Sequence, residues 1–591
     1  MALRRGVGLV VTLLILGITV SVGAMLVMLM VVGREPVVAT NSVLTLRVEG
    51  DLEELAPDNV LGTLTSSKRP TLRGLVDNLR KAKVDARISS VVIRPGNLSS
   101  AYWGKLQEVR EAILDFRRSG KQAIGFLEYG GTREYYLATG CDKIFLTPAG
   151  SLDLTGLASY TLFMRGTLEK IGASADYLHI GDYKTAPNQL TENTFTPAHR
   201  EMAESLNNDF FDQLVQAVAD GRKKRVEEVR ALIDDGPYLP ENALHAGLVD
   251  VVAYEDQIEE KVQLAKTKAF ARLDADAYGK VSLESVGLNK GPRIAVIYAV
   301  GLINSGRSGY DPMNGPVVGS DTLIDYIRKA RRDRSIRAIV IRIDSPGGSS
   351  VASDVIWREL MLARTGTATR PVVASMSDLA ASGGYYIAMA APDIVAQPGT
   401  LTGSIGIYGG KIVTGGTYEK LGMHIEAVSR GRNAELGSPA RPFSESERQK
   451  LNEELHAFYN QFVEKVAASR KMKPEAVDAI AQGRVWTGRQ AKELGLVDRL
   501  GGLEAAIALA KERAKIAPSQ NVELVIYPPR KTLFDALSES FGANTAVIDG
   551  RAELAALLGL TDRRAVAALT APMRLFRRGE LLALMPMAYM Q

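Results

Sequence analysis

The stretch Leu379-Ala-Ala-Ser-Gly-Gly-Tyr-Tyr386 places a serine among small residues, between a predicted strand and an apolar helix. Such a turn is typical of a serine nucleophile exposed at the N-terminus of a helix. Taken alone, it is also an ordinary small-residue start of a helix. Ser382 is therefore a candidate nucleophile, and the N–H of Gly383 is a candidate donor to negative charge that develops beside it.

A second stretch, Arg342-Ile-Asp-Ser-Pro-Gly-Gly-Ser349, directly follows a predicted strand. Pro346 turns the chain out of the strand, and the two glycines after it leave their backbone N–H groups open to close approach. Backbone donors aimed at one point are what an oxyanion hole requires. A pair of glycines by itself indicates only a turn, so this interpretation depends on the stretch around Ser382.

A glycine-rich stretch, Leu401-Thr-Gly-Ser-Ile-Gly-Ile-Tyr408, comes after the serine turn. Its small residues would let the backbone of a substrate lie close. It is not a phosphate-binding loop, because no Gly-Lys-Ser/Thr follows. We therefore expect this stretch to border the substrate.

The base that would activate Ser382 is not evident among the histidines, as a Ser-His-Asp triad would need. We expect all five histidines to be structural or exposed: His179, His199, His245, His424 and His456. A lysine can replace histidine when burial lowers its pKa from about 10.4 toward neutrality. Lys184 is the candidate, although a lysine in a loop is usually solvated.

Composition and motifs exclude several classes of function. The net charge of +5 is mild, and no nucleic-acid-binding motif is present, so we expect no nucleic-acid partner. The sequence has neither a His-Glu-x-x-His motif nor a Cys/His cluster, and we expect no metal and no cofactor. Cys141 is the only cysteine, so no internal disulfide forms, and we expect it to be a small buried core residue.

The candidate residues fall in two copies of one sequence pattern. Gly166-Thr-Leu-Glu-Lys-Ile-Gly172 matches Gly416-Thr-Tyr-Glu-Lys-Leu-Gly422, and Gly247-Leu-Val-Asp250 matches Gly495-Leu-Val-Asp498. Matches in the same order and at nearly the same separation indicate a duplicated folding unit.

The two copies differ at the candidate catalytic positions. In the repeat register, Ser382 corresponds to Thr132, and Lys184 corresponds to Ala434. Each copy has therefore kept only one residue of a candidate catalytic pair, which predicts one active site built from both copies. The register does not decide whether the two residues meet within a chain or between chains. We expect the same chain, because otherwise keeping both copies fused would gain little.

Alternating strands and helices would position these residues. Each copy opens with a predicted strand, at 43–50 and 293–301, and contains a long amphipathic helix, at about 197–224 and 444–469. The alternation between them predicts an α/β fold with parallel sheets covered by helices. A further strand is predicted at 522–527, beyond the repeats.

Residues 7–33 form an apolar run that is longer than the roughly 20 residues needed to span a bilayer. Because no small-x-small cleavage site is clear, we expect a retained anchor rather than a signal peptide. Arg4 and Arg5 precede the run, which places residues 1–6 in the cytoplasm and the body of the protein outside.

The rest of the chain divides into three predicted units. The N-terminal repeat, 43–282, supplies the lysine. The C-terminal repeat, 293–516, supplies the serine and the oxyanion hole. A C-terminal extension of unassigned role covers 517–591.

The motifs together resemble the signal peptide peptidase A family, also called protease IV, in its long, duplicated form. The residues that carry the resemblance are Asp344-Ser-Pro-Gly-Gly-Ser349, Ala380-Ala-Ser-Gly-Gly-Tyr385, Leu401-Thr-Gly-Ser-Ile-Gly406 and Tyr183-Lys-Thr-Ala186. The resemblance extends over about residues 7–515. It implies two tandem repeats with a crotonase- or Clp-protease-like fold and a serine peptidase with a Ser/Lys dyad.

By the same resemblance, Ser382 is the nucleophile, Lys184 is the general base, and Gly348 and Gly383 are the oxyanion donors. The family also implies a homotetramer on the outer face of the bacterial cytoplasmic membrane. Its substrates would be cleaved signal peptides and other apolar peptides.

Two alternatives remain open at the level of sequence. A crotonase-like acyl-CoA hydratase or isomerase would share the strand–helix units and the oxyanion hole, but it would need a carboxylate acid/base. The second alternative is a catalytically silent membrane scaffold. Thr132 and Ala434 show that each copy has already lost one residue of the pair, so the chain could also have lost catalysis altogether. The intact Ser382, Lys184 and glycine motifs favour the peptidase.

Overall fold

The computed structural model describes these residues: 36–54, 71–98, 102–262, 270–311, 315–365, 369–529, 581–585 and 589–590, together with Thr19 and Gly23. The predicted N-terminus, 1–6, and nearly all of the predicted anchor, 7–33, lie outside the described residues. Within the described part, no helix has both the length and the apolar character needed to cross a membrane.

The N-terminal repeat alternates strands with helices. Its strands are β1 (Ser42–Glu49), β2 (Ile88–Gly96), β3 (Gln122–Leu127), β4 (Gly130–Gly131), β5 (Lys143–Leu146), β6 (Leu152–Asp153), β7 (Ser159–Tyr160), β8 (Ser174–Ile180), β9 (Val251–Val252) and β10 (Ala271–Asp274). Its helices are α1 (Leu72–Val84), α2 (Trp103–Arg117), α3 (Thr132–Ala138), α4 (Arg165–Lys170), α5 (Asn188–Thr191), α6 (Pro197–Arg222), α7 (Val226–Asp234), α8 (Pro240–His245), α9 (Ile258–Lys261) and α10 (Ala275–Gly279).

The C-terminal repeat and the extension continue the pattern. Their strands are β11 (Arg293–Val300), β12 (Leu302–Asn304), β13 (Gly309–Asp311), β14 (Gly315–Gly319), β15 (Ile336–Ser345), β16 (Gly347–Ser349), β17 (Val372–Ala381), β18 (Asp393–Ala396), β19 (Leu401–Gly403), β20 (Ile407–Val413), β21 (Val485–Thr487), β22 (Arg499–Leu500), β23 (Glu523–Tyr527), β24 (Leu582–Leu584) and β25 (Tyr589–Met590). Their helices are α11 (Ser320–Arg332), α12 (Ser350–Thr365), α13 (Gly383–Ala388), α14 (Gly415–Lys420), α15 (Glu445–Arg470), α16 (Pro474–Ile480), α17 (Gly488–Glu493) and α18 (Leu503–Arg513).

Each repeat has its own largely parallel sheet. In the N-terminal repeat the strand order is β10-β1-β2-β3-β5-β9, and every pair is parallel. Neighbouring residues of β2, Val91 and Val92, point to opposite faces, and both are buried. Burial on both faces is typical of a parallel sheet covered by helices, so the predicted α/β class is confirmed.

The sheet of the C-terminal repeat has the order β21-β19-β17-β15-β11-β23, with β18 beside β17. Strand β23 lies parallel to β11, with Arg293 opposite Glu523. The strand predicted at 522–527 therefore exists, and it completes the sheet of the C-terminal repeat although it follows the predicted boundary at 516.

Matched contacts in the two repeats confirm the duplication. The hydroxyl of Tyr135 donates to the carbonyl of Leu248 at 2.7 Å, and the hydroxyl of Tyr385 donates to the carbonyl of Leu496 at 3.0 Å. The long helices α6 and α15 each have 26 residues, close to the predicted spans. Each of these helices ends with an arginine that pairs with the aspartate of the Gly-Leu-Val-Asp motif.

A third sheet joins the two repeats and the extension. Its order is β13-β14-β12-β16-β24-β20-β8. Strand β8 of the N-terminal repeat pairs antiparallel with β20 of the C-terminal repeat, from Ile407 opposite Ile180 to Val413 opposite Ser174. Because Lys184 follows β8 closely and the serine turn lies near β20, this pairing brings the two candidate motifs together.

Candidate active site

Ser382 stands where β17 ends and α13 begins, in the turn predicted from its small neighbours. Its backbone has φ 55° and ψ −112°, a conformation that is rare for a residue with a side chain. Such a conformation costs of order 1–3 kcal/mol and persists only where the surroundings impose it. Here the N–H of Ser382 donates to the carbonyl of Gly403 at 2.8 Å. The turn therefore holds a fully buried hydroxyl in a fixed position.

Lys184 lies in the segment between β8 and α5. Its Nζ atom is 2.7 Å from the Oγ atom of Ser382, and both residues are fully buried. The structure thus brings the lysine of the first copy to the serine of the second copy within one chain.

A loop of the C-terminal repeat holds the Lys184 segment in place. The N–H of Tyr183 donates to the carbonyl of Gln482 at 3.0 Å. The next residue, Gly483, has φ +79°, and a Cβ atom on it would lie 2.5 Å from the N, Cα and Cβ atoms of Lys184. Since only glycine leaves room for this approach, the contact sets the position of the Lys184 backbone.

The Lys184 amine has two further partners, both on Ser404. Nζ donates to the Ser404 carbonyl at 3.0 Å and to the Ser404 hydroxyl at 2.9 Å. Ser404 lies between β19 and β20 with φ 49°. The sequence indicates that this stretch borders the substrate, but it does not single out Ser404. The available signal was a serine between glycines, in Gly403-Ser-Ile-Gly406.

Burial sets the charge of the lysine. Lys184 is enclosed, and its partners in the described structure are hydroxyl groups and a carbonyl rather than carboxylates. Because a charged amine loses its hydration there, the pKa of Lys184 is held well below its ordinary value of 10.5. A neutral amine can accept a proton, so this environment suits a general base.

The two predicted oxyanion glycines lie at the same corner. Gly348 is in β16, and Gly383 is the first residue of α13. A Cβ atom on the neighbouring Gly347 would lie 2.8 Å from the N atom of Gly383. Gly347 has φ +108°, which glycine adopts at no steric cost, and β16 can therefore pass close to the serine turn. The role of Gly348 and Gly383 as donors stays a prediction.

A lysine of the N-terminal repeat sits between two carboxylates behind the site. The Nζ atom of Lys105 is 2.7 Å from Asp344 and 3.5 Å from Asp378. Burial by itself lowers the pKa of Lys105, but the two carboxylates outweigh burial and hold the pKa above its ordinary value. Since Asp344 and Asp378 lie on the strands that lead to Gly347 and Ser382, this group ties the N-terminal repeat to the site. No local sequence signal indicates this group.

Three side chains that were not expected to be catalytic, two histidines and the cysteine, lie in surroundings that suit no catalytic role. His179 is exposed, and its ring lies 2.9 Å from the carbonyl of Gly181. Burial lowers the pKa of His199 to about 4. Cys141 is buried, and burial raises the pKa of its thiol to about 12, which suppresses the reactive thiolate.

Comparison with protein families gives a match to each repeat. The model of peptidase family S49 matches residues 117–268 and again residues 365–517, together about half of the chain. The first match includes Lys184, and the second includes Ser382. The duplication seen in the structure is therefore a duplication of this family's domain.

Named relatives are similar over most of the chain. "Serine protease SPPA, chloroplastic" from Arabidopsis thaliana is 37% identical over 518 residues, which cover 86% of this chain and 74% of the relative. "Protease 4" from Salmonella typhi is 35% identical over 80% of this chain and 76% of its own length. "Protease 4" from Haemophilus influenzae is 29% identical over 79% and 76%.

Solved structures give weaker similarity. A ClpP1 mutant from Listeria monocytogenes is 14% identical and covers 36% of this chain and 94% of its own, with a TM-score of 0.23. A mutant of the 1510-N membrane-bound stomatin-specific protease is 15% identical, covers 41% and 100%, and has a TM-score of 0.26. TM-scores this low do not establish a shared fold. The crotonase- or Clp-like character of the two repeats therefore stays a prediction.

The family match decides between the alternatives that the sequence left open. A match in both repeats, with relatives named as proteases over most of the chain, favours the peptidase over an acyl-CoA hydratase and over a silent scaffold. The predicted resemblance to signal peptide peptidase A is confirmed. The chain belongs to peptidase family S49 and is a serine peptidase.

Proposed function

We propose that this chain is an endopeptidase that uses Ser382 and Lys184 as a catalytic dyad to degrade cleaved signal peptides and other apolar peptides. The observation that carries the proposal is the 2.7 Å separation of Lys184 Nζ and Ser382 Oγ in a fully buried setting. A hydroxyl needs an adjacent base to become a nucleophile, and the amine is within hydrogen-bonding reach of it.

The partners of the amine explain how it would be oriented. A neutral lysine carries two N–H groups and one lone pair. The carbonyl and hydroxyl oxygens of Ser404 accept the two N–H groups. The lone pair is then left for the hydroxyl of Ser382, which donates its proton to Nζ.

The reaction follows from this arrangement. The proton of Ser382 moves to Lys184 as Oγ attacks the peptide carbonyl. The C–N bond then breaks, Lys184 returns the proton to the leaving amine, and an ester to Ser382 remains. Lys184 then takes a proton from a water molecule as the water attacks the ester carbonyl, and it returns that proton to Ser382 Oγ as the ester C–O bond breaks. The products are a carboxylic acid and the regenerated serine.

Negative charge on the attacked carbonyl oxygen would be stabilised by backbone donors. Gly383 follows the nucleophile at the N-terminus of α13, and Gly348 lies on β16 beside it. Such donors cost no reorganisation during the reaction because the backbone already aims them. We assign the oxyanion hole to the N–H groups of these two glycines.

Peptide substrates would bind as an added strand. Strands β16 and β20 flank a position one strand wide in the third sheet, and in this structure that position holds β24. Leu302 and Tyr408 line this position with buried apolar surface. Main-chain hydrogen bonds would give affinity without regard to sequence, and the apolar lining would favour apolar peptides. This combination fits signal peptides after their release.

The location and assembly are part of the proposal. The apolar run at 7–33, with Arg4 and Arg5 before it, supports a single-pass anchor in the bacterial cytoplasmic membrane with the catalytic body outside. The family resemblance supports a homotetramer. Protease accessibility in spheroplasts tests the first part, and light scattering of the detergent-solubilised chain, with an expected mass four times that of one chain, tests the second.

A serine-directed fluorophosphonate probe tests the catalytic proposal. The probe should label the full-length chain at Ser382, and the label should be lost in Ser382→Ala. The matched control is Ser429→Ala, which alters an exposed serine and should label like wild type. Labelling that persists in Ser382→Ala would contradict the assignment of the nucleophile.

A further inference from the structure

A segment of the C-terminal extension lies inside the proposed substrate position. Strand β24 runs antiparallel to β16, with Gly347, Gly348 and Ser349 opposite Leu584, Ala583 and Leu582. On its other side, Tyr408 of β20 pairs with Leu582. The extension therefore fills the single gap between the strand that carries Gly348 and the strand that follows Ser404.

The register places one carbonyl of this segment at the oxyanion corner. The N–H of Met585 donates to the carbonyl of Pro346 at 2.9 Å. In an antiparallel ladder, hydrogen-bonded pairs alternate, so the next bonded pair is Gly348 with Ala583. The N–H of Gly348 is then directed at the carbonyl oxygen of Ala583.

Contacts of the glycines locate that oxygen. A Cβ atom on Gly347 would be 2.0 Å from the Ala583 carbonyl oxygen, and a Cβ atom on Gly383 would be 3.2 Å from the same oxygen. The carbonyl of Ala583 is therefore enclosed by the two glycine motifs that we assign to the oxyanion hole. A substrate presents the carbonyl of its scissile bond at this place.

The side chains of the segment are buried as those of a bound peptide would be. Leu582 and Leu584 pack in one apolar cluster with Leu302 and Tyr408. Ala583 is fully buried and belongs to the core of the C-terminal repeat. The segment is thus a well-packed occupant of the position rather than a chain end that lies over it.

The chain continues beyond the site. Strand β25 pairs antiparallel with β7 of the N-terminal repeat, with Tyr589 opposite Tyr160 and Met590 opposite Ser159. Polypeptide is therefore held on both sides of Ala583. A peptide that passes through the cleft would be held in the same way, with one carbonyl beside Gly347 and Gly383 as that of Ala583 is.

We propose that residues 581–585 form an intramolecular, substrate-like strand that competes with peptide substrates for the cleft. This inference rests on the proposed function of Ser382 and Lys184. Two strands cannot occupy one position in a sheet, so a substrate binds only when β24 leaves. A tethered segment acts at an effective concentration in the millimolar range, which makes even weak pairing an effective inhibitor.

The full-length double variant Leu582→Asp/Leu584→Asp tests this inference. Two carboxylates in the apolar cluster should expel β24, because burying an unpaired charge is costly. For hydrolysis of a short apolar peptide, we expect KM to fall about tenfold or more while kcat changes little. The matched control Leu239→Asp changes an exposed leucine and should leave KM at the wild-type value.

A second variant provides an independent test in case the double variant is too unstable to assay. Ala583→Pro removes the N–H that pairs with Gly348 and adds no charge. It should also lower KM, and a synthetic peptide of residues 580–587 should raise KM again as a competitive inhibitor. An unchanged KM in both variants would overturn the inference.

The outcomes separate this inference from the proposed function. Turnover that is lost in Ser382→Ala, together with an unchanged KM in the tail variants, would remove the inference and leave the dyad standing. Turnover that persists in Ser382→Ala would remove the proposed function. Intact mass should be measured throughout, because loss of residues 584–591 in wild type but not in Ser382→Ala requires Ala583 at the serine and would support the inference.

Discussion

The amine of Lys184 lies 2.7 Å from the hydroxyl of Ser382, although 198 positions separate the two residues in the chain. Strand β8 of the first repeat pairs with β20 of the second, and this pairing brings the two residues together in space. The structure therefore brings one candidate residue from each repeat to the same place. The chemical roles proposed for the two residues can be tested individually.

The pH dependence of kcat/KM follows from the burial of Lys184. Below its pKa the amine is protonated and cannot accept the proton of Ser382. Because burial holds this pKa well below 10.5, we expect kcat/KM to rise with pH through the lowered value and then to level off. Initial rates with one peptide across the pH range measure this. A rise that is centred near the ordinary lysine pKa would contradict a buried neutral base.

Ser404→Ala should lower kcat with little effect on KM. The variant removes one of the two acceptors on Ser404 that orient the amine. A neutral hydrogen bond contributes about 0.5–1.5 kcal/mol, which corresponds to a loss of up to about tenfold in rate. Ser429→Ala removes a hydroxyl that donates to Glu435 away from the site and serves as the control. A change in KM alone would assign Ser404 to substrate binding instead.

Gly483→Ala should abolish most activity by displacing Lys184. Its matched control is Gly495→Ala, since Gly483 and Gly495 have φ +79° and +75°, but nothing lies within 4 Å of a Cβ on Gly495. Both variants incur a conformational cost of about 1–2 kcal/mol. Only the first forces a methyl group against the Lys184 backbone. Melting midpoints and kcat/KM separate the two effects, and equal activities would argue against the contact as the positioning element.

Lys105→Met should destabilise the folded chain. The variant leaves Asp344 and Asp378 without their shared cation in a largely buried place. Breaking a buried pair in this way costs about 3–5 kcal/mol. The melting midpoint should fall clearly below that of wild type, whereas Lys143→Met, at an exposed position, should have no such effect. A midpoint that matches the control would mean that the carboxylates find other partners.

Much of the fold could be predicted because its signals are local. The long helices begin within one residue of their predicted starts, and the strand predicted at 522–527 is present as Glu523–Tyr527. The repeat register also pointed to Ser382 and Lys184, because the copies differ there. The elements of the fold needed only periodicity and self-similarity within the chain, whereas the choice of Lys184 also rested on the family resemblance.

Other features depend on contacts between distant parts of the chain. The sequence around Lys184 is that of a solvated loop, and its burial arises from Gly483 and the strands of the third sheet. The ion group of Lys105 with Asp344 and Asp378 spans both repeats in the same way. The course of β24 could not be predicted, because three residues of alternating size carry no signal for a partner strand.

The central claim is that Lys184 of the first repeat is the base for Ser382 of the second. The most direct test is kcat/KM of Lys184→Met for a peptide substrate. Methionine fills the buried site without a basic group, and melting midpoints show whether the variant is folded. We predict a loss of about a thousandfold or more, with Lys143→Met as an active control. Turnover near the wild-type rate in folded Lys184→Met would contradict the account.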